Sequence, residues 1–360
     1  MSHSMSQSRR TRRRATLLVA AASLAVALAA SPANAAATWE PIPLPVTYGD
    51  VSLLPFDSQN SYATSLTTCG GEPCSPGRKL WQRSGSSWKE LKPPADAALN
   101  TLAGTGPNDL WAIGRKDVGS SVWHVHRYDG TKWSSDLHPD TGRMEILGAE
   151  AVSKNSLWGV GNTRNSRWNP TVTHWDGQKW NTKTFTDIEG SFQAVDVRSE
   201  NDIWAVGYRD KGDTTADYQP LAMHYDGTQW SEVKVPETPG QTHILRTVLS
   251  NGPKDVWVAS DSHVSHWDGT AWTRKDIPVS GYVTSFANYG GQVYAGVSPA
   301  KTGDPKLLRW SGTSWVSDTS LTRGSKVAQL ATTSDGALYA LSQDSGKENY
   351  LARLTPPTAG

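Results

Sequence analysis

Short runs in which apolar and polar residues alternate recur along most of the chain, and turn signals separate them. Most of these runs begin with Asn or Asp, followed by an aliphatic residue, an aromatic residue and small apolar residues. Seven copies occur, and their aromatic residues lie 49, 47, 46, 53, 37 and 45 residues apart. These aromatics are Tyr62, Trp111, Trp158, Trp204, Trp257, Tyr294 and Tyr339. Alternation with period two indicates strands, and a repeat of about 40–50 residues is typical of propeller blades.

A second motif follows each of the first six copies, and in its commonest form it reads aromatic-Asp-Gly-x-x-Trp. Asp-Gly between alternating runs predicts a tight hairpin, because glycine accepts positive φ without steric cost. The hairpin joins the third strand of a blade to its outer fourth strand. The outer-strand tryptophans are Trp88, Trp133, Trp180, Trp230, Trp272 and Trp315.

One repeat shows how a blade divides into four strands. The inner strand is predicted at residues 192–197, the second at 203–206, the third at 221–225 and the outer at 230–235. Proline often follows the outer strand, as at Pro236 and Pro278, which suits an edge that does not use all its N–H donors.

The seventh repeat ends near Leu351–Leu354 without a hairpin or an outer tryptophan. Trp39–Pro45 places a proline six residues after a tryptophan, as Trp230 and Pro236 do. We therefore predict an all-β fold, a seven-bladed β-propeller, whose ring is closed by the N-terminal strand (Trp39–Pro45) completing the last blade. Closure removes the sheet edges that favour aggregation.

Residues 1–35 have the pattern of a signal peptide, and residues 36–360 are predicted to form the single propeller domain. Five arginines between Arg9 and Arg14 precede an apolar run, Ala15–Ala30, and Ala33-Asn34-Ala35 offers a cleavage site. The run is shorter than the roughly 20 residues of a membrane span, although an anchor remains the alternative. Ordinary secretion is favoured over twin-arginine export, which Ser8-Arg9-Arg10 leaves open. The chain is thus predicted to be secreted and extracellular.

Removal of the leader takes five arginines from the 35 basic residues and leaves 34 acidic ones, a net charge near −4. No cluster of Lys and Arg remains that could neutralise a row of phosphates or an anionic bilayer. Nucleic acid and membrane are therefore not predicted partners.

The chain has two cysteines, Cys69 and Cys74, five residues apart. In an exported protein this spacing predicts a local disulfide that stiffens a loop. A metal site needs further ligands, and no nearby His or second Cys pair supplies them. No metal and no cofactor is predicted.

Most of the 17 tryptophans occupy equivalent repeat positions, where large aromatics are expected to fill the space between sheets. Ligand-binding residues are better sought where the repeat is broken, in the irregular loops between second and third strands and between blades. The candidate ligand-binding residues are Trp123, His124, Trp168, Arg164, Tyr218, Arg143 and His138. An exposed aromatic ring beside polar groups suits a sugar, whose apolar face packs on the ring while its hydroxyls are hydrogen-bonded. The alternative is that these aromatics pin long loops to the surface.

The chain resembles secreted bacterial β-propellers with Trp-rich repeats, a group that includes lectins of the tachylectin and fucose-lectin type. The resemblance covers Trp39 to about Leu354 and is carried by the Asp-Gly-x-x-Trp repeat. The lectin sugar-site motifs do not map onto these residues. The leader and the composition look actinobacterial, and in that setting the chain is similar to the lectin subunits of umbrella toxin particles.

Three functions follow as expectations. The first is lectin-like recognition of a glycan or cell-surface polymer, as the receptor-binding subunit of a toxin complex in one version. The second is an interaction scaffold for another secreted protein. The third is a carbohydrate-active hydrolase or lyase, which needs two carboxylates flanking the scissile bond. No such pair, and no catalytic residue, is nominated by the sequence, so the chain is not predicted to be an enzyme.

Overall fold

The structure, a computed structural model, describes residues 38–69, 72–92, 98–115, 122–135, 138, 144–164, 167–212, 218–237, 243–260 and 263–355. Only the backbone is described for residues 66–69, 72–78 and 98. The predicted signal peptide lies outside these ranges, so its assignment stays a prediction. In the described part of the chain, no helix is long and apolar enough to span a bilayer.

The described residues form seven four-stranded antiparallel sheets, which confirms the predicted all-β, seven-bladed propeller. We number the blades in chain order and give the strands of each from the inner edge outwards. Blade one has β2 (Val51–Pro55), β3 (Asn60–Cys69), β4 (Glu72–Ser84) and β5 (Ser87–Leu91), and blade two has β6 (Ala98–Gly106), β7 (Asp109–Arg115), β8 (Trp123–Tyr128) and β9 (Trp133–Ser134). Blade three has β10 (Met144–Ser153), β11 (Ser156–Arg164), β12 (Trp168–Trp175) and β13 (Trp180–Thr184), and blade four has β14 (Gly190–Ser199), β15 (Asp202–Arg209), β16 (Gln219–Tyr225) and β17 (Trp230–Glu232). Blade five has β18 (Thr247–Gly252), β19 (Asp255–Ala259), β20 (Val264–Trp267) and β21 (Trp272–Lys275), and blade six has β22 (Gly281–Tyr289), β23 (Gln292–Pro299), β24 (Leu307–Trp310) and β25 (Trp315–Ser317). Blade seven has β26 (Lys326–Thr332), β27 (Leu338–Gln343), β28 (Asn349–Leu354) and β1 (Trp39–Ile42).

The N-terminal strand completes blade seven, as predicted. Trp39 pairs with Leu354 and Ile42 with Leu351, so β1 is the outer strand beside β28. An ion pair between Glu40 and Arg353 joins the same two strands. The strand ends at Ile42 rather than at the predicted Pro45, because Pro43 and Pro45 have no N–H to donate to a ladder.

The outer strand of blade four is likewise shorter than predicted. It ends at Glu232, and one further backbone hydrogen bond, from Val233 N–H to the Ala222 carbonyl (3.0 Å), continues the pairing. The inner, second and third strands of this blade contain the predicted residues.

The Asp-Gly motifs form the predicted hairpin turns. Gly130 and Gly227 adopt φ of 96° and 91°. The Asp129 carboxylate accepts the backbone N–H groups of Thr131 and Lys132, each at 2.9 Å. These bonds to the charged form, first that from Lys132, lower the pKa of Asp129 to about 2. The aspartates of this motif therefore shape turns.

The core consists of apolar clusters that lie between neighbouring blades. Trp204 of blade four packs against Trp272 of blade five, with ring centroids 5.8 Å apart. Trp257 packs in the same way on Trp315 of blade six, at 5.2 Å. The second-strand tryptophans are buried, as predicted, whereas several outer-strand ones remain half-buried.

Histidines on the third strands support these tryptophans. His174, His224 and His266 stack on the tryptophan of the neighbouring second strand, with centroids 4.0, 4.6 and 4.2 Å apart. His224 also bonds the carboxylate of Asp202, at 2.9 Å. These histidines therefore have a structural role, which agrees with their position in the repeat.

Polar side chains on the inner strands fasten each blade to the next. Glu150 accepts the Val197 N–H at 2.9 Å, and Asp196 accepts the Ser250 N–H at 3.1 Å. Gln329 of blade seven accepts the Leu53 N–H at 2.9 Å and so closes the ring onto blade one. These three backbone N–H groups on inner strands are thereby satisfied within the protein.

Candidate ligand-binding rim

The antiparallel strands give the propeller two unlike rims. One carries the turns between first and second strands and the Asp-Gly hairpins. The other, here called the loop rim, carries the connections between second and third strands and the links between blades. In the described chain the large exposed apolar side chains are Tyr48 (60% exposed), Tyr282 (43%), Val122 (41%) and Trp168 (37%). Each lies in, or within two residues of, a connection on the loop rim.

Trp168 is an exposed aromatic side chain in contact with a charged one. It is the first residue of β12 and pairs with Arg164, the last residue of β11. The guanidinium of Arg164 lies over the indole ring, 5.2 Å from its centroid. A cation–π contact of this kind holds both side chains in place at an exposed site.

A charged cleft of about 620 Å³ lies where blade three meets blade four, and its lining includes Arg167, the residue before Trp168. Arg167 forms an ion pair with Glu189 at 2.8 Å, and the Asp210 N–H donates to the Glu189 carbonyl at 2.8 Å. Arg209 also lines the cleft, and its guanidinium lies 2.8 Å from the carboxylate of Glu232. The remaining charged residues of the cleft are Asp187 and Lys211.

The cleft is held by buried amides. Asn169, next to Trp168, donates to the Ile188 carbonyl at 2.8 Å and so fixes the link between the blades against β12. Asn162 donates to the Ser191 hydroxyl at 2.9 Å, which joins β11 to the inner strand of blade four. The cleft therefore lies on a rigid support.

Tyr218 is half-buried and packs against a neighbouring aromatic ring. Its ring stacks on Tyr208, with centroids 4.4 Å apart, and its carbonyl accepts the His243 N–H. Burial, and then the neighbouring Tyr218, raises the pKa of Tyr208. Tyr218 thus pins a loop of blade four to the rim.

The expectation that Trp123 is exposed was wrong. Its side chain is 1% exposed and packs with Met144 and Ile146 of the next blade. Because β8 begins at Trp123, alternation sends Trp123 and Val125 to the same buried face. The alternating apolar and polar residues that begin at Trp123 could have predicted that its side chain is buried in a strand.

His124 and His138 have contacts within blade two and the link that follows it. His124 is half-buried, with its ring 5.6 Å from that of His126. His138 bonds the Met144 carbonyl at 2.9 Å and so ties the link to the start of β10. Arg143 lies outside the described residues, as do the side chains of Cys69 and Cys74, so the disulfide stays a prediction.

Of the seven sequence candidates, the structure brings Arg164 and Trp168 together. Arg167, Arg209, Asp210 and Lys211 were missed, because their grouping with residues 187–189 depends on how two blades meet. The strand order alone could have predicted this grouping. The link that precedes a blade lies on the same rim as the connection between that blade's second and third strands.

Two further carboxylates have shifted acidity. Burial, and for Glu150 the nearby charge of Asp196, raises the pKa of both side chains. Each already accepts a backbone N–H of the next blade. Within the described residues, no group of three or more His, Cys, Asp or Glu is placed to hold a metal ion.

Searches for similar proteins found the fold among solved structures. No family model and no curated protein matches the chain. A structure of YCF48 bound to a D1 peptide has a TM-score of 0.62 and 14% identity, over 88% of this chain and 97% of that one. YCF48 from Cyanidioschyzon merolae has a TM-score of 0.58 and 15% identity, over 90% and 100%. The extracellular domain of a putative one-component system, BT4673 from B. thetaiotaomicron, has a TM-score of 0.58 and 12% identity, over 87% of this chain and 39% of that one. These likenesses show the propeller fold alone.

Proposed function

We propose that this chain is an exported, non-enzymatic binding protein that recognises a glycan or cell-surface polymer through its loop rim, with Trp168 at the centre of the site. The observation that supports the proposal is the exposed indole of Trp168, which lies against the Arg164 guanidinium and is next in the chain to Arg167 of the charged cleft.

The chemistry of the cleft suits a polyhydroxylated ligand. The apolar face of a pyranose packs on an indole ring, and each of its hydroxyls both donates and accepts a hydrogen bond. Paired guanidinium and carboxylate groups, such as Arg167 and Glu189, offer donors and acceptors side by side. Charge-assisted bonds of this kind are stronger than neutral ones.

Binding without catalysis is supported by the structural role of two carboxylates whose pKa is raised. Glu150 and Asp196 each use an oxygen to accept a backbone N–H of the next blade. Glu189 of the cleft, by contrast, pairs with the Arg167 guanidinium at the surface, as in a recognition surface.

Glycan-array binding followed by titration of the best ligand tests the proposal. We expect Trp168→Ala to weaken binding at least tenfold without changing the melting temperature, since the ring is at the surface. Tyr48→Ala is the matched control, because Tyr48 is an exposed aromatic of the same rim but belongs to the link into blade one. Equal binding by wild type and Trp168→Ala, or no binding to any polysaccharide or cell wall, contradicts the proposal.

A protein partner on the same rim is the second candidate. The four exposed apolar side chains belong to connections of different blades, so a partner contacting them all must be large. A propeller of similar fold has been solved with a bound peptide, and other similar propellers are extracellular domains. Native mass spectrometry of culture supernatant distinguishes the two: a stoichiometric protein partner favours the scaffold, and a monomer favours the glycan. Membership of a toxin particle, as its receptor-binding subunit, combines the two candidates, with the glycan on one surface and a protein on another.

A further inference from the structure

A second, differently lined groove lies at the seam between blades six and seven. The outer strand of blade six, β25, has three residues, and the chain then passes along blade seven as residues 318–325. Between this link and the outer strands of blade seven lies a groove of about 550 Å³. The bond from Trp39 Nε1 to the Ser320 hydroxyl, at 2.9 Å, fixes the link beside β1.

One half of the groove is apolar. Its lining includes Trp39, Pro41, Leu321, Tyr350 and Ala352. Trp39 and Ala352 are half-buried on the cluster between the two blades, so the floor is anchored in the core. Pro41 and Pro43 have no N–H, which makes β1 a poor edge for adding another strand. An occupant is therefore recognised by its side chains.

The other half is charged. The apolar groove shares Thr322, Arg323, Glu348 and Tyr350 with a cleft of about 640 Å³, so the two are continuous. This cleft adds Asp304 and Asp344 as carboxylates and Lys306 as a cation. Acidic groups thus outnumber basic ones at this end.

The cations at this end already have contacts within the protein. Lys306 Nζ donates to the Thr322 carbonyl at 3.2 Å, and the Arg323 guanidinium lies 5.5 Å from the centroid of the Tyr350 ring. The Tyr350 hydroxyl lies 2.7 Å from Glu348 and 3.4 Å from Asp344, and its single proton serves one of them at a time. Hydrogen bonding to Glu348 raises the pKa of Tyr350 to about 12, so the hydroxyl stays protonated at neutral pH.

We infer that this seam groove binds an extended polypeptide segment of a protein partner, in which two apolar side chains are followed by a lysine or arginine. The apolar side chains pack on Trp39, Pro41 and Ala352. The basic side chain reaches the carboxylates of Glu348, Asp344 and Asp304. The site belongs to blades six and seven, whereas Trp168 belongs to blade three, so the inference does not depend on glycan binding.

Peptides of defined sequence test the inference on the mature chain. The probes are fluorescein-labelled nonapeptides with two apolar residues followed by Lys, Gln or Glu, flanked by Gly and Ser, and binding is read as anisotropy. We expect the Lys peptides to bind at least tenfold more tightly than their Glu counterparts. Glu348→Lys should reverse that preference, and Thr322→Trp, an exposed change that fills the groove, should abolish binding.

Trp168→Ala is the control and should bind the peptides like wild type. Asp304→Lys, in a surface loop, repeats the charge reversal where Glu348→Lys lowers the melting temperature. The inference fails if no Lys peptide binds below millimolar concentration. It also fails if folded charge-reversal variants keep the wild-type preference for Lys.

Discussion

Tryptophans that begin the third strands of two consecutive blades have different roles in the molecule. Trp123 and Trp168 both begin the third strand of a blade, and both break the repeat. Alternation sends Trp123 between blades two and three, whereas Trp168 stays at the surface beneath Arg164. Trp123 lies four residues before Arg127, and Trp168 six residues before His174, where Arg127 and His174 pair with the second-strand tryptophans. Both rings are therefore on the same face of their strands, and Trp168 differs because it lies two residues further towards the loop rim. Substitution of the two residues should therefore affect different properties.

We expect Trp123→Ala to lower the free energy of unfolding by about 3–5 kcal/mol, because it leaves a cavity against Met144 and Ile146. Trp168→Ala should change it by less than about 0.5 kcal/mol, as surface substitutions generally do. Urea unfolding followed by far-UV circular dichroism measures both. Equal losses in the two variants would show that the assignment of buried and exposed rings is wrong.

Glu150 gives the molecule a pH dependence. Its pKa, like that of Asp196, is raised in the folded state above the ordinary values of 4.5 and 3.8. The folded state therefore holds protons that the unfolded state releases, and the free energy of unfolding falls as pH rises from about 4 towards 8. Each unit of pKa shift corresponds to about 1.4 kcal/mol.

We expect Glu150→Gln to be more stable than wild type at pH 8 and to show a shallower decline between pH 5 and 8. An amide keeps the oxygen that accepts the Val197 N–H, and Gln329 already accepts an N–H in this way in blade seven. Urea titrations at several pH values measure the slope. An unchanged slope in Glu150→Gln would refute the ionisation of this side chain as its cause.

At the scale of elements, β1 completes the sheet of blade seven and so closes the ring. It is short, lies on the edge of blade seven and contains a proline, yet it covers the open side of β28 and joins the cluster between blades six and seven. Without β1, the last sheet has three strands and an exposed ladder of N–H and C=O groups. Such an edge can pair with another molecule.

We expect a chain that starts at residue 45 to melt at a lower temperature than one that starts at residue 36, and to form dimers or larger species. A synthetic peptide of residues 36–45 should restore both the melting temperature and the monomer. Light scattering after size exclusion and thermal unfolding report the outcome. A truncated chain that stays monomeric with an unchanged melting temperature would show that β1 is dispensable.

At the scale of the whole molecule, the sequence was sufficient for the number of blades, the hairpins and the ring closure. Each of these depends on local patterns, such as Asp226-Gly227 at a turn, that repeat along the chain. The candidate site was predicted less completely. Trp168 and Arg164 share one hairpin, but Arg167 meets residues 187–189 and 209–212 only where two blades join. The seam groove was not foreseen, because it arises from a short outer strand and a link that belongs to neither blade's repeat.

The ring closure also determines when the molecule can finish folding. Glu40 and Arg353, which face each other in blade seven, are 313 residues apart in the chain. Six sheets draw on consecutive stretches and can assemble in the order of synthesis, but the seventh needs the earliest and the latest strands together. The partner of β1, Asn349–Leu354, is therefore made long after β1 itself, and β1 cannot form its native pairing before then. Closure of the ring is therefore a late step in folding, because the outer position of the last sheet is filled only after its third strand has been made.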